Sequence, residues 1–218
     1  MLTSLSVLNR GLPKIAPTEV ERVFELLVRE LEVDKQRVRT KFSKRDRRKK
    51  EIIEEIDKRI KLVRQYDTNE RYVVVAAIAQ KQLSPTGYSQ TFSRYIIPNA
   101  ERANGRRIVE IGFGEGDSFP FFEGWNYTGL ETSEYALFRA RGRKDTKGKL
   151  LLRINQEERF PISNKSIDFV LACNSMCYIP NWQLELDECV RVLHDGATMS
   201  VIERTDSGEL KIQNIGNF

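Results

Sequence analysis

One stretch of fourteen residues, Arg106–Phe119 (RRIVEIGFGEGDSF), constrains the fold of this chain more than any other. An apolar run reads as a buried strand and feeds glycines at alternate positions, Gly112, Gly114 and Gly116. Such glycine turns usually cradle a phosphate at the start of a helix, where the helix dipole favours an anion. Here the position of the third glycine in the dinucleotide pattern is Asp117, and Glu110 and Glu115 add two more carboxylates. Each like-charge pair near a low-dielectric surface costs on the order of a kcal/mol, so this turn repels a diphosphate. It suits a cationic small molecule that still needs close approach to a backbone without Cβ atoms.

From Arg106 onward strands and helices alternate. The predicted strands are RIVEIG, NYTGLET, KLLLRINQ, SIDFVLACNS and ATMSVIE, with helices at SEYALFRARGR and NWQLELDECVRVL. Alternation of this kind predicts a parallel sheet with right-handed crossovers, and sites in such sheets lie beyond the C-terminal ends of the strands. S-adenosyl-L-methionine, with its sulfonium, ammonium and adenosine, fits a cation-favouring glycine turn. An acid at the end of the second strand is the usual clamp for ribose hydroxyls, and Glu131 stands there, 21 residues after Glu110.

Four stretches in order carry a family resemblance: VEIGFGEG, GLETS, INQEERFPISNKSIDFVLACNSMCYIPN and ECVRVLHDGATMSVIE. Residues 106–203 resemble class I S-adenosylmethionine-dependent methyltransferases. The resemblance implies an α/β Rossmann-like methyltransferase fold with a parallel central sheet. It implies that Glu110 orders the glycine loop and meets the methionine amino group, directly or through water. It further implies that Gly112, Phe113, Gly114 and Gly116 line the cofactor, that Glu131 holds the ribose, and that Thr132 lies by the adenine. Asn155 and Gln156 stand where the family has an Asp-Ala pair at the adenine, and Asn174 stands next to the transferred methyl. Asn155 lacks the usual charge but keeps an acceptor. HDGA replaces the family's lysine, proline and paired glycines. The residues after Glu203 suffice for one edge strand, ELKIQNI, so a shortened C-terminal hairpin is expected.

Residues 1–87 are expected to form an N-terminal helical region, with residues 88–218 forming the cofactor domain. APTEVERVFELLVRELEV (16–33) has helical apolar spacing, with Thr18 and Glu21 as a capping box. A second helix is predicted from Lys44 to Tyr66, with Ile52, Ile53, Ile56, Ile60 and Val63 as its stripe. Its basic first turns oppose the helix dipole, which predicts fraying there or a bound anion. RYVVVAAIAQKQL (71–83) reads as helix against the strand preference of its valines, and SPTGYSQTFSRYIIPNAERANG as an irregular connection. Tyr88, Phe92 and Tyr95 suit a lid over the cofactor or plain packing.

The net charge is +5, and Arg39–Lys50 carries eight basic residues against one acid. That run is a solvated helix face, an RNA-binding surface or the site of an acidic partner. It lacks aromatic interleaving beyond Phe42, so a stacking platform for single strands is not indicated. No apolar run reaches the ~20 residues that span a bilayer, and the start has no signal-peptide pattern, so no membrane association is expected. Three cysteines, Cys173, Cys177 and Cys189, argue for a reducing compartment, the cytoplasm, and against a metal site.

The expected activity is a transferase: an S-adenosylmethionine-dependent methyltransferase acting on an O or N acceptor, in first place a small molecule. The alternatives are RNA or protein as acceptor, and a non-catalytic subunit or scaffold. No N-P-P-Y or D-P-P-Y follows the fourth strand and no Pro-Cys nucleophile is present, which speaks against base-amine and cytosine C5 chemistry. Asn174 and Tyr178 are the candidates for orienting the acceptor. His194, the one histidine, is read as structural because it precedes the fifth strand, away from the site.

Overall fold

The computed structural model of the chain describes residues 16–43, 45–67, 71, 89–103, 105–156, 158–176, 179–204 and 210–216. Residues 72–83, Tyr88, Cys177 and Tyr178 lie outside them, and with them the expectations placed there. The chain divides into two compact units, Met1–Ser89 and Gln90–Phe218. Among the described residues no helix is long and apolar enough to cross a membrane.

The first unit holds an antiparallel helix pair, α1 (Pro17–Lys41) and α2 (Arg47–Gln65). Val20 and Phe24 of α1 are buried, with Val63 and Tyr66 packed against them. Val38 fills the other end, and Ile52, Ile56 and Ile60 form the buried stripe of α2. Lys35 pairs with Asp57 across the helices. Two expectations are corrected here. α1 starts at an Ala16 cap that makes no side-chain bond, with Pro17 in its first turn, so Thr18 and Glu21 form no capping box. The helix also runs eight residues past Val33, because Val38 continues the buried face. The start of α2 is capped: the Asp46 carboxylate accepts from the Arg48 N–H at 3.0 Å, which offsets the positive pole.

The second unit is a six-stranded sheet in the order β3-β2-β1-β4-β5-β6. Its strands are β1 (Arg107–Ile111), β2 (Asn126–Glu131), β3 (Leu150–Arg153), β4 (Ile167–Cys173), β5 (Leu193–Arg204) and β6 (Leu210–Gly216). All pairs are parallel except β5 with β6. The helices are α3 (Ile97–Arg102), α4 (Glu134–Arg141) and α5 (Trp182–Val192). The pleat sorts the core. Val109, Ile111, Val170 and Ala172 share one face with Cys189 and Val192 of α5. On the other face an aromatic cluster links Phe92, Phe119, Phe122, Tyr127 and Phe169.

Residues 92–102, expected to be irregular, are helical: one π turn (Phe92–Ile96) runs into α3. Phe92, Ile96, Asn99 and Ala100 recur at helical spacing and are buried, while Pro98, which has no N–H to donate, sits where the π turn passes into α3. Asn99 fixes this helix to the sheet, donating to Ser200 Oγ at 2.9 Å and accepting from Thr198 Oγ1 at 3.1 Å. His194, expected in a turn, lies at the start of β5, whose pairing with β4 shifts register between Ile167 and Phe169.

Candidate functional site

Strand order reverses between β1 and β4, so the chain leaves both strands at their C-terminal ends around one crevice. Gly112 follows β1 and Asn174 follows β4. All three loop glycines adopt positive φ, 64° at Gly112, 58° at Gly114 and 85° at Gly116. At Gly112 an added Cβ would lie 2.5 Å from Ser175 Cβ, so the two loops touch; at Gly114 it would meet nothing within 4 Å. The glycine turn is therefore tight against the β4 loop on one side and bare at its tip. Asn174 is exposed, also at positive φ (49°), and donates its backbone N–H to the Ile202 carbonyl at 2.7 Å.

Glu131 ends β2, and its carboxylate ties the two loops together. Oε2 accepts from the Gly114 N–H at 2.9 Å, while Oε1 accepts from the N–H groups of Thr132 (2.8 Å) and Ser133 (2.9 Å). A carboxylate offers about four lone-pair sites, so one remains on Oε2 beside the bare tip of Gly114. Thr132 is exposed next to it. Asn155 and Gln156 follow β3, whose Arg153 lies in strand register with Glu131, and both are exposed. The Asn155 amide donates to Glu158 at 2.6 Å and keeps its own oxygen as an acceptor.

Glu110 points into the aromatic face beneath the glycine loop and is 2% exposed. It accepts from Ser118 Oγ, at the far end of the loop, and from the Tyr127 hydroxyl at 2.5 Å. Burial pushes its carboxyl up to about 7, against the pull of the Ser118 and Tyr127 hydrogen bonds and the Lys149 charge. Phe113 turns its ring inward onto Gly129 and Phe119, which leaves its backbone for the loop surface.

The charge of the loop differs from the sequence expectation. Glu115 pairs with Arg139 of α4 at 3.3 Å, and Asp117 with Arg143 at 3.6 Å. Two of the three acids expected to repel a diphosphate are thus paired with arginines, the third, Glu110, is buried beneath the loop, and Glu131 is the carboxylate left at its tip. No sequence pattern announced these arginines, because they meet the loop only when α4 packs beside it. Two further polar atoms were not anticipated. Ser175 Oγ and Glu203 Oε2 are buried without a hydrogen-bond partner among the described residues. Glu203 Oε1 accepts from the Met176 N–H at 2.8 Å, which anchors the β4 loop to the end of β5. A buried hydroxyl with no partner beside Gly112 is the kind of group a bound polar ligand satisfies.

His194 sits at the opposite end of the sheet. Its Nε2 lies 2.7 Å from Asp168 Oδ1, and Asp168 also accepts from the Arg107 backbone N–H and guanidinium at 2.7–3.0 Å. Burial works against ionisation of Asp168, yet the hydrogen bonds from Arg107 and His194 and the Arg107 charge hold its carboxyl below the usual range.

Comparison with known proteins gives one family match: residues 109–201 fit the methyltransferase domain family, from β1 into β5. Among solved structures, the YcgJ protein of Bacillus subtilis is 18% identical, covering 50% of this chain and 48% of its own, with a TM-score of 0.46. A methyltransferase dependent on S-adenosylmethionine from Aquifex aeolicus is 17% identical over 50% and 62%, TM-score 0.45. One from Mesorhizobium loti is 22% identical over 49% and 52%, TM-score 0.42. The chain thus spans about half the length of the first of these. No curated protein matches it.

Proposed function

We propose, for a chain whose residues 109–201 match the methyltransferase domain family, that it binds S-adenosylmethionine at the β1/β4 crevice and methylates an oxygen or nitrogen of a small molecule. The observation that carries the reading is the Glu131 carboxylate, clasped to the Gly114 N–H at the bare tip of the loop with a lone pair to spare. The residues fit the group. Glu131 would accept from the ribose hydroxyls, Thr132, Asn155 and Gln156 would border the adenine, and Ser175 Oγ would offer an unused polar partner. Glu110, Gly112, Gly116 and the Phe113 backbone shape the turn beneath it.

When bound, S-adenosylmethionine supplies a methyl group activated by its sulfonium. The protein's part is alignment, with Asn174, and Tyr178 outside the described residues, as the groups for orienting an acceptor. Holding two reactants in line lowers the barrier by several kcal/mol. A general base is dispensable where the acceptor is already a good nucleophile. Small molecules head the acceptor classes as the default of the family resembled, and the sequence CNSMCY at the end of the fourth strand lacks the N-P-P-Y pattern for base amines. The basic α1–α2 hairpin favours a second reading, a nucleic-acid acceptor.

Calorimetric titration with S-adenosylmethionine and S-adenosylhomocysteine tests the site. Glu131→Gln puts an amide where backbone N–H groups donate, and should weaken both ligands about 10- to 100-fold. Absence of binding by the intact chain would sink the reading. Transfer of radiolabelled methyl to fractions of cell extract sorts the acceptor. Binding with no transfer to any fraction would leave the non-catalytic alternative standing instead.

A further inference from the structure

We infer that the tip of the α1–α2 hairpin docks on the sugar-phosphate backbone of a duplex nucleic acid. This goes beyond methyl transfer and does not depend on it. The connection Phe42–Asp46 brings the last turn of α1 beside the first turn of α2. Arg39–Lys50 carries a net +7, more than the +5 of the whole chain, so the other 206 residues are together acidic. Only part of this cluster is explained by folding. Arg39 and Lys41 complement the negative pole of α1, and the Lys49 Nζ donates to the Arg39 and Phe42 carbonyls at 2.7 and 3.0 Å, stapling the two helix ends. Arg47, Arg48 and Lys50 instead crowd the positive pole of α2, where the Asp46 cap offsets one charge by pairing with Arg48 and the first turn itself holds no acid. The Arg47 side chain is 92% exposed and that of Lys50 82%, and their i,i+4 partners Glu51 and Glu54 make surface pairs of little energy.

A cluster that repels itself is matched by a partner with dense negative charge. A duplex presents one charge per ~1.7 Å of axis, and arginine forks suit its phosphates. Unpaired bases need exposed rings to stack on. The tip's aromatic, Phe42, is half-buried with the Arg48 guanidinium 5.3 Å above its ring. A membrane surface would favour apolar side chains for insertion, and the large exposed ones on these helices, Leu26, Val33 and Leu62, lie outside the tip.

The test is fluorescence anisotropy of the full chain with labelled RNA and DNA duplexes across a salt series. Oligouridine, polyglutamate and phosphatidylserine vesicles serve as competitors. Expected is duplex binding that weakens steeply with salt. A quadruple variant, Arg39→Gln/Arg45→Gln/Arg47→Gln/Lys50→Gln, should lower affinity about 100-fold and flatten the log-log salt slope by about three to four units. Lys58→Gln/Lys61→Gln, farther along α2, should leave both unchanged. Circular dichroism and S-adenosylmethionine affinity of the quadruple variant should match the wild type, which separates this surface from the cofactor site. The inference is overturned if neither duplex binds with salt dependence, if the quadruple variant binds as well as wild type, or if any of the three competitors is preferred over the duplexes.

Discussion

Glu110 shows how one residue couples the core to the loop above it. Its folded value, about 7, lies above the ordinary 4.5, so the folded chain keeps a proton that the unfolded chain has lost across that window. Stability is therefore fully present below the unfolded value and declines as pH rises through about 7, by about 3 kcal/mol in all. Glu110→Gln keeps partners for Ser118 and Tyr127 but cannot ionise. Urea midpoints at pH 5 and pH 8 should converge in the variant, and an unchanged pH difference would refute the assignment. Comparing the two proteins isolates Glu110 from Glu185, whose carboxyl burial also raises. Asp168 works in the opposite sense: its carboxyl is depressed, so its contribution is present above the unfolded value and is lost only as pH falls below it. Asp168→Asn should cost about 1–3 kcal/mol, since Arg107 and His194 then face an amide. Thermal melts at neutral pH check this; a variant as stable as wild type would mean the cluster is idle. Gly112→Ala combines positive φ with a Cβ 2.5 Å from Ser175, and should both destabilise by about 1–3 kcal/mol and weaken cofactor binding.

Among elements, α2 depends most on tertiary packing. Ile52, Ile56 and Ile60 are buried on one face while the remaining faces are charged. Ile56→Ala should cost about 2–5 kcal/mol, a large part of what a two-helix core can supply. Loss of helical signal at lower temperature would report it. Asp46→Ala removes the cap as well as the nearest counter-charge to Arg48, whose hydrogen bond is the main cause of the depressed Asp46 carboxyl. It should lower the melting point of the helix pair, more at low salt than at high. The hairpin also shows where pattern reading fails. Thr18 and Glu21 have capping-box spacing, but Pro17 already opens the helix at Ala16. Residues 92–102 follow a stretch rich in turn-forming residues, yet burial of Phe92, Ile96 and Ala100 decided for helix.

At the scale of the molecule, a cofactor that binds only the folded state raises its stability by mass action. At 100 times its dissociation constant S-adenosylmethionine should contribute about 2.7 kcal/mol, or about 5–10 °C in melting temperature. Glu131→Gln should lose about half of that shift or more at the same concentration, and a shift of equal size in both proteins would place the ligand elsewhere. Local patterns alone determined the strands, their parallel sheet and the single C-terminal edge strand, because apolar runs, glycine turns and helix periods act over a few residues and admit few topologies; the order of the strands came from the tertiary structure. They also placed Glu131 at the second strand's end and His194 away from the crevice. Charge balance and pairing were beyond their reach. Arg139 and Arg143 neutralise Glu115 and Asp117, Tyr127 and Ser118 satisfy Glu110, and the Ser175 hydroxyl has no partner among the described residues. Those outcomes depend on which distant side chains share a low-dielectric space, and only packing brings such partners within hydrogen-bond reach.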